Sequence, residues 1–220
     1  MEPSPPANPT PGASRPARGR PPLDGLARQR ILDATAAVFL EKGFARASTN
    51  EIARRAKASK QTLYSLFPTK ADLFVGVIGA HTSRLFARHP EFIQGSDPPA
   101  KTLNEMGFMM LSTFSAPTFL ALYRIVVAEA HNFPLLARQL WCDVVERGYI
   151  LLAEYLESRR LGGPLYRKSA EQFVSFVLGD FIVNAMLNPY LELSDCFFRS
   201  RVQDAVRDFL LLHPVNVPKE

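Results

Sequence analysis

The sequence predicts an all-α protein. From Leu26 onward, large apolar residues recur at steps of three and four, as in Ile31, Leu32, Val38 and Phe39, which is the spacing of one helix face. No segment combines the apolar–polar alternation of a strand with flanking turn residues. The 220 residues are 47% hydrophobic and 21% charged, which supplies enough apolar material for one or two cores.

Residues 1–22 form a separate N-terminal arm. They hold 8 of the 18 prolines and almost no large apolar side chains, so we expect a disordered, basic, partly polyproline II segment. The arm lacks the apolar stretch of a secretory signal. Its Arg18-Gly19-Arg20-Pro21 is similar to the core of an AT-hook, whose arginines enter A·T-rich minor grooves. The alternative is a charged tail without that role.

Four helices are predicted between residues 23 and 87. The first ends close to Gly43, because glycine favours the turn that follows a helix. The next three begin at side chains that can accept hydrogen bonds from free backbone N–H groups, namely Ser48, Ser59 and Thr69. Glu51, three residues after Ser48, would complete a capping box. The fourth helix runs from Lys70 to about Ala87.

The rest of the chain is predicted to be long helices separated by proline and glycine. Pro90, Gly95, Pro98 and Pro99 indicate a loop after His89. The predicted helices that follow cover about residues 100–114, 117–130, 134–160, 168–187 and 195–212.

The charge is unevenly distributed along the chain. Residues 1–70 carry 12 Lys or Arg and 5 Asp or Glu, whereas residues 71–220 carry 14 and 16. A basic end on a faintly acidic body indicates a polyanionic partner, with nucleic acid favoured over a membrane surface. Ordinary solvated surface charge is the alternative.

Residues 48–67 have the pattern of a helix-turn-helix, with two short helices separated by a three-residue turn. The second of these helices offers side chains that can hydrogen-bond to base edges and phosphates, namely Lys60, Gln61, Thr62, Tyr64 and Ser65. Each helix is too short to be stable alone, so the first and fourth helices must support them. A piece of an ordinary helical bundle with a solvated polar face is the alternative.

Other classes of site lack support in the sequence. The two cysteines, Cys142 and Cys196, are far apart, and the four histidines have no metal-ligand spacing. No GxSxG, HExxH, Walker or GxGxxG motif occurs, so we expect no enzyme activity, no metal and no cofactor. No run of about 18 uncharged apolar residues occurs, so we expect no transmembrane helix and no membrane partner. The two isolated cysteines fit a reducing compartment, so we expect a cytoplasmic protein.

A set of residues at fixed spacing stands out between positions 28 and 78: the segments 30–34, 41–44, 48–49, 51–53 and 62–64, together with Phe39, Ala56, Ser59, Phe67-Pro68, Lys70 and Leu73. With this pattern, residues 28–78 resemble the start of the TetR family of bacterial repressors. Residues 117–137 are similar to the AefR-like branch. The resemblance implies a homodimeric, ligand-responsive regulator that binds a palindromic operator in double-stranded DNA, usually as a repressor released by a small hydrophobic or amphipathic effector. It further implies three parts: the arm at 1–22, a DNA-binding domain at 23–70, and an effector-binding and dimerisation domain at 71–220.

The resemblance carries DNA-binding roles to particular positions. Thr49, Tyr64 and Lys70 would hold phosphates, and Lys60, Gln61 and Thr62 would face bases or nearby backbone. The full expected DNA-binding set is Arg18, Arg20, Thr49, Lys57, Ser59, Lys60, Gln61, Thr62, Tyr64 and Lys70. Three residues depart from the family pattern: Lys57 replaces a usual glycine, Ala58 a usual valine, and Leu66 a usual histidine or tyrosine.

The middle and last helices are assigned to an effector and to dimerisation. Large adaptable residues, with one arginine among them, would line an apolar pocket: Met106, Met109, Met110, Phe114, Tyr123, Arg124, Trp141, Phe173 and Phe176. Apolar stripes on the last two helices would form the dimer interface through Val177, Phe181, Val202, Val206 and Phe209. Plain core packing is the alternative for both sets. The alternative functions are a dimeric DNA-binding regulator without an effector, and a helical enzyme or lipid carrier with an unrelated basic tail.

Overall fold

The computed structural model describes residues 23–188, 190, 191 and 193–214. In this part of the chain every regular element is helical, and the all-α prediction is confirmed. The α-helices are α1 (Leu23–Arg46), α2 (Thr49–Arg55), α3 (Lys60–Leu66), α4 (Lys70–Ala87), α5 (His89–Gln94), α6 (Pro99–Phe114), α7 (Pro117–Glu129), α8 (Pro134–Leu140), α9 (Arg147–Ser158), α10 (Tyr166–Leu187) and α11 (Asp195–Leu212). A π-helical segment, Trp141–Glu146, joins α8 to α9.

The first four helices follow the predicted pattern closely. Gly43 breaks α1 with a left-handed φ of 71°, and α2 and α3 begin and end within a residue or two of the predicted positions. Ser59 accepts from the backbone N–H of Thr62, and Thr69 forms a full capping box with Asp72, so both predicted caps are confirmed. These caps satisfy N–H groups that the first turn of a helix leaves free.

The capping box predicted for Ser48 and Glu51 is wrong. The Ser48 side chain makes no capping hydrogen bond. The Glu51 carboxylate instead forms ion pairs with Lys42 and Arg55, whose cationic groups lie within reach and compete with a backbone N–H. The guanidinium of Arg55 also binds Glu41 through two hydrogen bonds of 2.6 Å, so charged side chains fasten α2 to α1.

The C-terminal half differs from the sequence prediction in three places. Residues 89–94 form the short α5, in which Pro90 occupies a first-turn position that needs no N–H donor. The predicted single helix at 134–160 is interrupted by the π-helical segment. Helix α10 is kinked at Gly179, and Arg201 of α11 donates to the carbonyl of Val177, two residues before the kink, at 2.7 Å.

The buried residues form two clusters that meet at α4, α6 and α7. One joins α1–α4 to α7, α8 and the π-helical segment, with Phe39, Phe44 and Phe74 in mutual ring contact at its centre. The other joins α5, α6 and α9–α11. Helix α10 is long and apolar enough to span a membrane by length and composition, and 28% of its apolar stretch, Phe173 and Val177 included, is buried against neighbouring helices. Helices α1–α4 therefore share one core with α7 and α8.

Candidate nucleic-acid interface and effector cavity

Helices α2 and α3 present a polar surface opposite their buried faces. Ile52 and Leu63 face the core with no exposed surface, whereas Lys60 and Gln61 are exposed in the first turn of α3. The side-chain hydroxyls of Thr49 and Tyr64 lie 2.9 Å apart and join the start of α2 to the middle of α3. This hydrogen bond fixes the relative position of two groups that can contact phosphate.

Two of the expected contact residues are used within α3 itself. The Ser59 hydroxyl accepts from the Thr62 backbone N–H at 3.0 Å and lies 2.8 Å from the Thr62 hydroxyl. Both hydroxyls are therefore partly occupied by the cap, while Lys60 and Gln61 make no side-chain hydrogen bond to any residue in the described part of the chain. Lys60 and Gln61 therefore keep their polar groups available at the surface of α3.

The cations of this region divide into paired and unpaired groups. Lys42 and Arg55 are neutralised by Glu41 and Glu51, and the Arg55 guanidinium holds the pKa of Glu41 below its usual value. Within residues 23–188, no acidic side chain pairs with the exposed cations of the α1 end, α2, the turn and α3: Arg46, Arg54, Lys57 and Lys60. The sequence reasoning missed Arg46 and Arg54, although both are exposed positions beside the motif. Together these four leave positive potential uncompensated on this surface.

Lys57 has the backbone conformation that the family pattern reserves for glycine. Its φ is 51°, in the left-handed region, where a side chain costs up to about 1 kcal/mol relative to glycine. Its side chain is exposed beside the N-terminus of α3. Lys57 therefore strains the backbone of the turn and adds a positive charge beside α3.

Lys70, which the resemblance assigns to a phosphate contact, makes hydrogen bonds within the protein, and the phosphate contact stays a prediction. Its Nζ donates to the carbonyls of Phe44, Ala45 and Ala47, at 2.9, 3.1 and 3.3 Å. These hydrogen bonds satisfy carbonyl groups at the end of α1, and burial lowers the pKa of the ammonium group. Lys70 thus ties the start of α4 to the end of α1.

The capping box of α4 is also connected to α8. The amide of Gln139 donates to Oδ1 of Asp72 at 2.9 Å, while Oδ2 of Asp72 accepts from the Thr69 N–H and hydroxyl. The hydrogen bond from Gln139 is the largest cause of the lowered pKa of Asp72. A second contact lies nearby, with the rings of Phe44 and Phe133 4.8 Å apart. The end of α1 and the start of α4 therefore both touch the α7–α8 region.

An apolar cavity of about 280 Å³ lies between α4, α6, α7, α9 and α10. Three of the lining residues belong to α4 itself, namely Ile78, Leu85 and Phe86. The π-helical segment contributes Trp141, Val144 and Val145, and the kinked part of α10 contributes Leu178 and Gly179. Irregular helical turns of these kinds often occur at functional sites.

The predicted pocket residues are divided between the cavity and other places. Met110, Phe114, Tyr123 and Trp141 line the cavity. Met106 and Phe173 are buried in the C-terminal core, Met109 lies near Arg88 at the surface, and Phe176 lies in a groove between α10 and α11. Arg124 donates to the carbonyls of Ala185 and Met186, at 2.8 and 2.9 Å. Sequence reasoning missed Phe86, Phe119 and Tyr149, whose helical apolar spacing does not distinguish a cavity wall from a filled core.

The predicted interface residues require a correction. Val177, Phe181, Val202, Val206 and Phe209 are between 0 and 3% exposed and pack inside a single chain. Phe209, for example, lies 5.3 Å from the ring of Phe173. The apolar side chains that α10 and α11 leave at the surface are Val183, Leu187, Phe197, Leu211 and Leu212. Arg18 and Arg20 lie outside the described residues, so their expected role stays a prediction.

Comparison with known proteins identifies both halves of the chain. Residues 31–77 match the model of bacterial regulatory proteins of the tetR family, and residues 101–212 match that of the AefR-like transcriptional repressor C-terminal domain. The chain is 35% identical over 79 residues to the HTH-type transcriptional repressor KstR of Mycobacterium tuberculosis, a match that spans 36% of each protein. It therefore covers only about a third of the length of this curated relative.

Solved structures extend the similarity to the whole fold. A putative TetR-family regulator from Mesorhizobium loti superposes with a TM-score of 0.74 at 22% identity, over 87% of this chain and 98% of that one. The flavonoid-responsive regulator FrrA superposes with a TM-score of 0.70 at 28% identity, over 89% of this chain and 100% of that one. Because the AefR-like match alone covers half of the sequence, the chain belongs to the TetR family of transcriptional regulators, with an AefR-like C-terminal domain.

Proposed function

We propose that this protein is a dimeric repressor that binds a palindromic operator through α2 and α3 and is released by a small apolar effector. The observation that carries the proposal is the exposed surface formed by the end of α1, α2, the turn and α3, where four cations have no acidic partner among the described residues. Such a surface attracts a polyanion, and the neighbouring Gln61 and Tyr64 can hydrogen-bond to it. Similarity to the repressor KstR supports repression.

The residues have distinct proposed roles on DNA. Lys60 and Gln61 read base edges in the major groove, because their side chains are exposed in the first turn of α3. Thr49, Tyr64 and Lys57 hold the flanking phosphates. Arg18 and Arg20 extend the contact into an adjacent minor groove. Lys70 contributes indirectly, by holding α1 and α4 together beneath the interface.

A dimer is required by the small size of the reading surface. One short helix contacts few base pairs, so useful discrimination needs two copies on a two-fold symmetric site. The outer faces of α10 and α11 supply a surface for a second copy, since Val183, Leu187 and Leu211 are 55, 79 and 74% exposed. Large apolar residues that cluster at the surface mark such interfaces.

The cavity favours an effector-controlled repressor over a regulator without an effector. Its wall includes α4, and α4 begins at the capping box next to the end of α3. A ligand that prefers one position of α4 would shift the separation of the two recognition helices. The flavonoid-responsive regulator FrrA shares the fold over most of this chain, which supports the assignment of the cavity to an effector.

Lys57→Gly tests the proposed DNA contact, because stability and binding should change in opposite directions. Removal of a side chain from a left-handed residue should stabilise the fold by up to about 1 kcal/mol, or raise Tm by about 2–4 °C. Loss of one phosphate contact in each half-site should weaken operator binding. The slope of log K against log salt should then fall by about 1.8 for the dimer. Calorimetry and fluorescence anisotropy at several salt concentrations measure both effects.

Arg160→Gly provides the matched control. Arg160 is the other non-glycine residue with a left-handed φ (52°) in the described part of the chain, and it lies after α9, away from α2 and α3. Its replacement should stabilise the fold similarly and leave the salt slope unchanged. If Lys57→Gly and Arg160→Gly have the same operator affinity and slope as the wild type, Lys57 makes no phosphate contact.

A further inference from the structure

The chemical lining of the cavity indicates the class of molecule that it accepts. Among the described residues that line it, none is charged, and six are aromatic: Phe86, Phe114, Phe119, Tyr123, Trp141 and Tyr149. A charged ligand would lose its hydration without gaining an opposite charge, which is costly in an apolar site. The lining therefore selects against ions.

The aromatic rings are arranged as two groups. Phe114, Phe119 and Tyr123 form one group from α6 and α7. The ring centroid of Phe119 lies 5.0 Å from that of Phe114 and 5.9 Å from that of Tyr123. Trp141 and Tyr149 form the other, with their centroids 6.4 Å apart at an angle of 64°. Such groups offer both ring faces and ring edges to a flat aromatic molecule.

The charged groups near the cavity are already compensated or solvated. The guanidinium of Arg167 lies 4.7 Å from the centroid of the Tyr149 ring, but it forms ion pairs with Glu146 and Glu171. Arg147 lies 5.1 Å from the centroid of Phe86 and is exposed to water. Neither arginine is a free counter-charge for an anionic ligand.

Two phenol groups of the lining, those of Tyr123 and Tyr149, are suited to polar recognition. In the described part of the chain, the hydroxyls of Tyr123 and Tyr149 have no protein hydrogen-bond partner. A phenol is protonated at neutral pH and can donate a hydrogen bond, and burial raises the pKa of Tyr149 still further. A ligand hydroxyl or carbonyl could pair with either phenol.

We propose that the cavity binds a neutral, flat aromatic molecule with one hydrogen-bonding group, of which a two-ring phenol is the simplest example. The cavity of about 280 Å³ lies near the lower limit for small-molecule sites, so a compact ligand fits better than a long acyl chain. This inference rests on the proposed function only in treating the cavity as the effector site.

The only tryptophan of the chain provides a direct test. Trp141 lines the cavity and is 53% exposed, so its fluorescence reports occupancy without any DNA. The full-length protein is titrated with 4-hydroxybiphenyl and with biphenyl-4-carboxylate, which is charged at neutral pH. We expect saturable quenching by the phenol, and at least about 100-fold weaker binding of the carboxylate. Tyr149→Phe should weaken binding of the phenol by about 3- to 10-fold with an unchanged circular dichroism spectrum.

Each alternative result has a defined meaning. Equal affinity for the two probes, or no saturable binding of 4-hydroxybiphenyl, would overturn the proposal. If Tyr149→Phe and Tyr123→Phe both bind the phenol as the wild type does, the polar part of the proposal is wrong. Operator binding is measured separately, so a protein that binds its operator but not the probe would refute this inference and leave the DNA-binding function intact.

Discussion

Replacement of both Val183 and Leu187 by arginine is expected to convert the protein to a monomer and to weaken operator binding by at least about 100-fold. The two side chains lie one turn apart on α10 and are 55 and 79% exposed. Arginine there brings like charges together across a two-fold axis and removes apolar contact. The large loss is expected because linkage of two half-site contacts contributes about 10²- to 10⁴-fold in affinity. Sedimentation and anisotropy measure the two effects.

Two controls separate dimerisation from folding. Val127→Arg introduces the same charge at a residue of α7 that is 52% exposed, and it should leave both assembly and operator affinity unchanged. Phe181→Arg places a charge at a residue that is 2% exposed, so it should unfold the C-terminal core rather than only separate the chains. A double variant that stays dimeric in sedimentation would place the interface on another surface.

Gln139→Ala should disconnect the cavity from the DNA-binding helices. The hydrogen bond from Gln139 to Asp72 links α8, which leads directly into the cavity wall at Leu140 and Trp141, to the capping box of α4. The variant removes this bond but leaves the local bonds between Thr69 and Asp72. In allosteric proteins a ligand typically changes the coupled affinity about 5- to 150-fold. In Gln139→Ala this effect should disappear, so that operator affinity is nearly the same with and without ligand. Operator affinity without ligand should change by less than about threefold, because α3 is untouched.

Arg138→Ala is the matched control for this prediction. Arg138 precedes Gln139 on α8 and is exposed, with no side-chain hydrogen bond or ion pair to any described residue. It should keep the full response to ligand. Trp141 fluorescence confirms that the ligand still binds both variants. An unchanged ligand response in Gln139→Ala would show that the coupling runs through another contact, such as the ring pair of Phe44 and Phe133.

The DNA-binding half was predictable because its signals are local. Ser59 and Thr69 cap helices through hydrogen bonds to residues three positions later, so the sequence alone places them. The left-handed turn at Lys57 could be inferred from the family pattern. Ser48 shows the limit of such reasoning. Its expected partner Glu51 pairs instead with Lys42, which lies nine residues earlier in the chain, and with Arg55, which lies one helical turn later.

The cavity and interface residues were less predictable because they depend on distant packing. An apolar stripe shows which face of a helix avoids water, but not whether its own chain or a second copy covers it. Phe181 and Phe209 are covered by their own chain, whereas Val183 and Leu187 are not. Likewise, the sequence does not distinguish Phe173 in a filled core from Phe114 beside a cavity. The π-helical segment and the kink at Gly179, which shape the cavity, have no clear signal in the sequence.

The central claim is that α3 reads a specific palindrome, and equilibrium binding to a selected operator tests it most directly. A duplex is selected from random sequence with the full-length protein. Its affinity for the wild type and for Gln61→Ala is then measured by anisotropy at physiological salt. We expect two chains per duplex, at least about 10³-fold preference over unrelated DNA, and a changed base preference in each half-site for Gln61→Ala. Equal affinity for selected and unrelated duplexes, or a selected site without two-fold symmetry, would contradict the account.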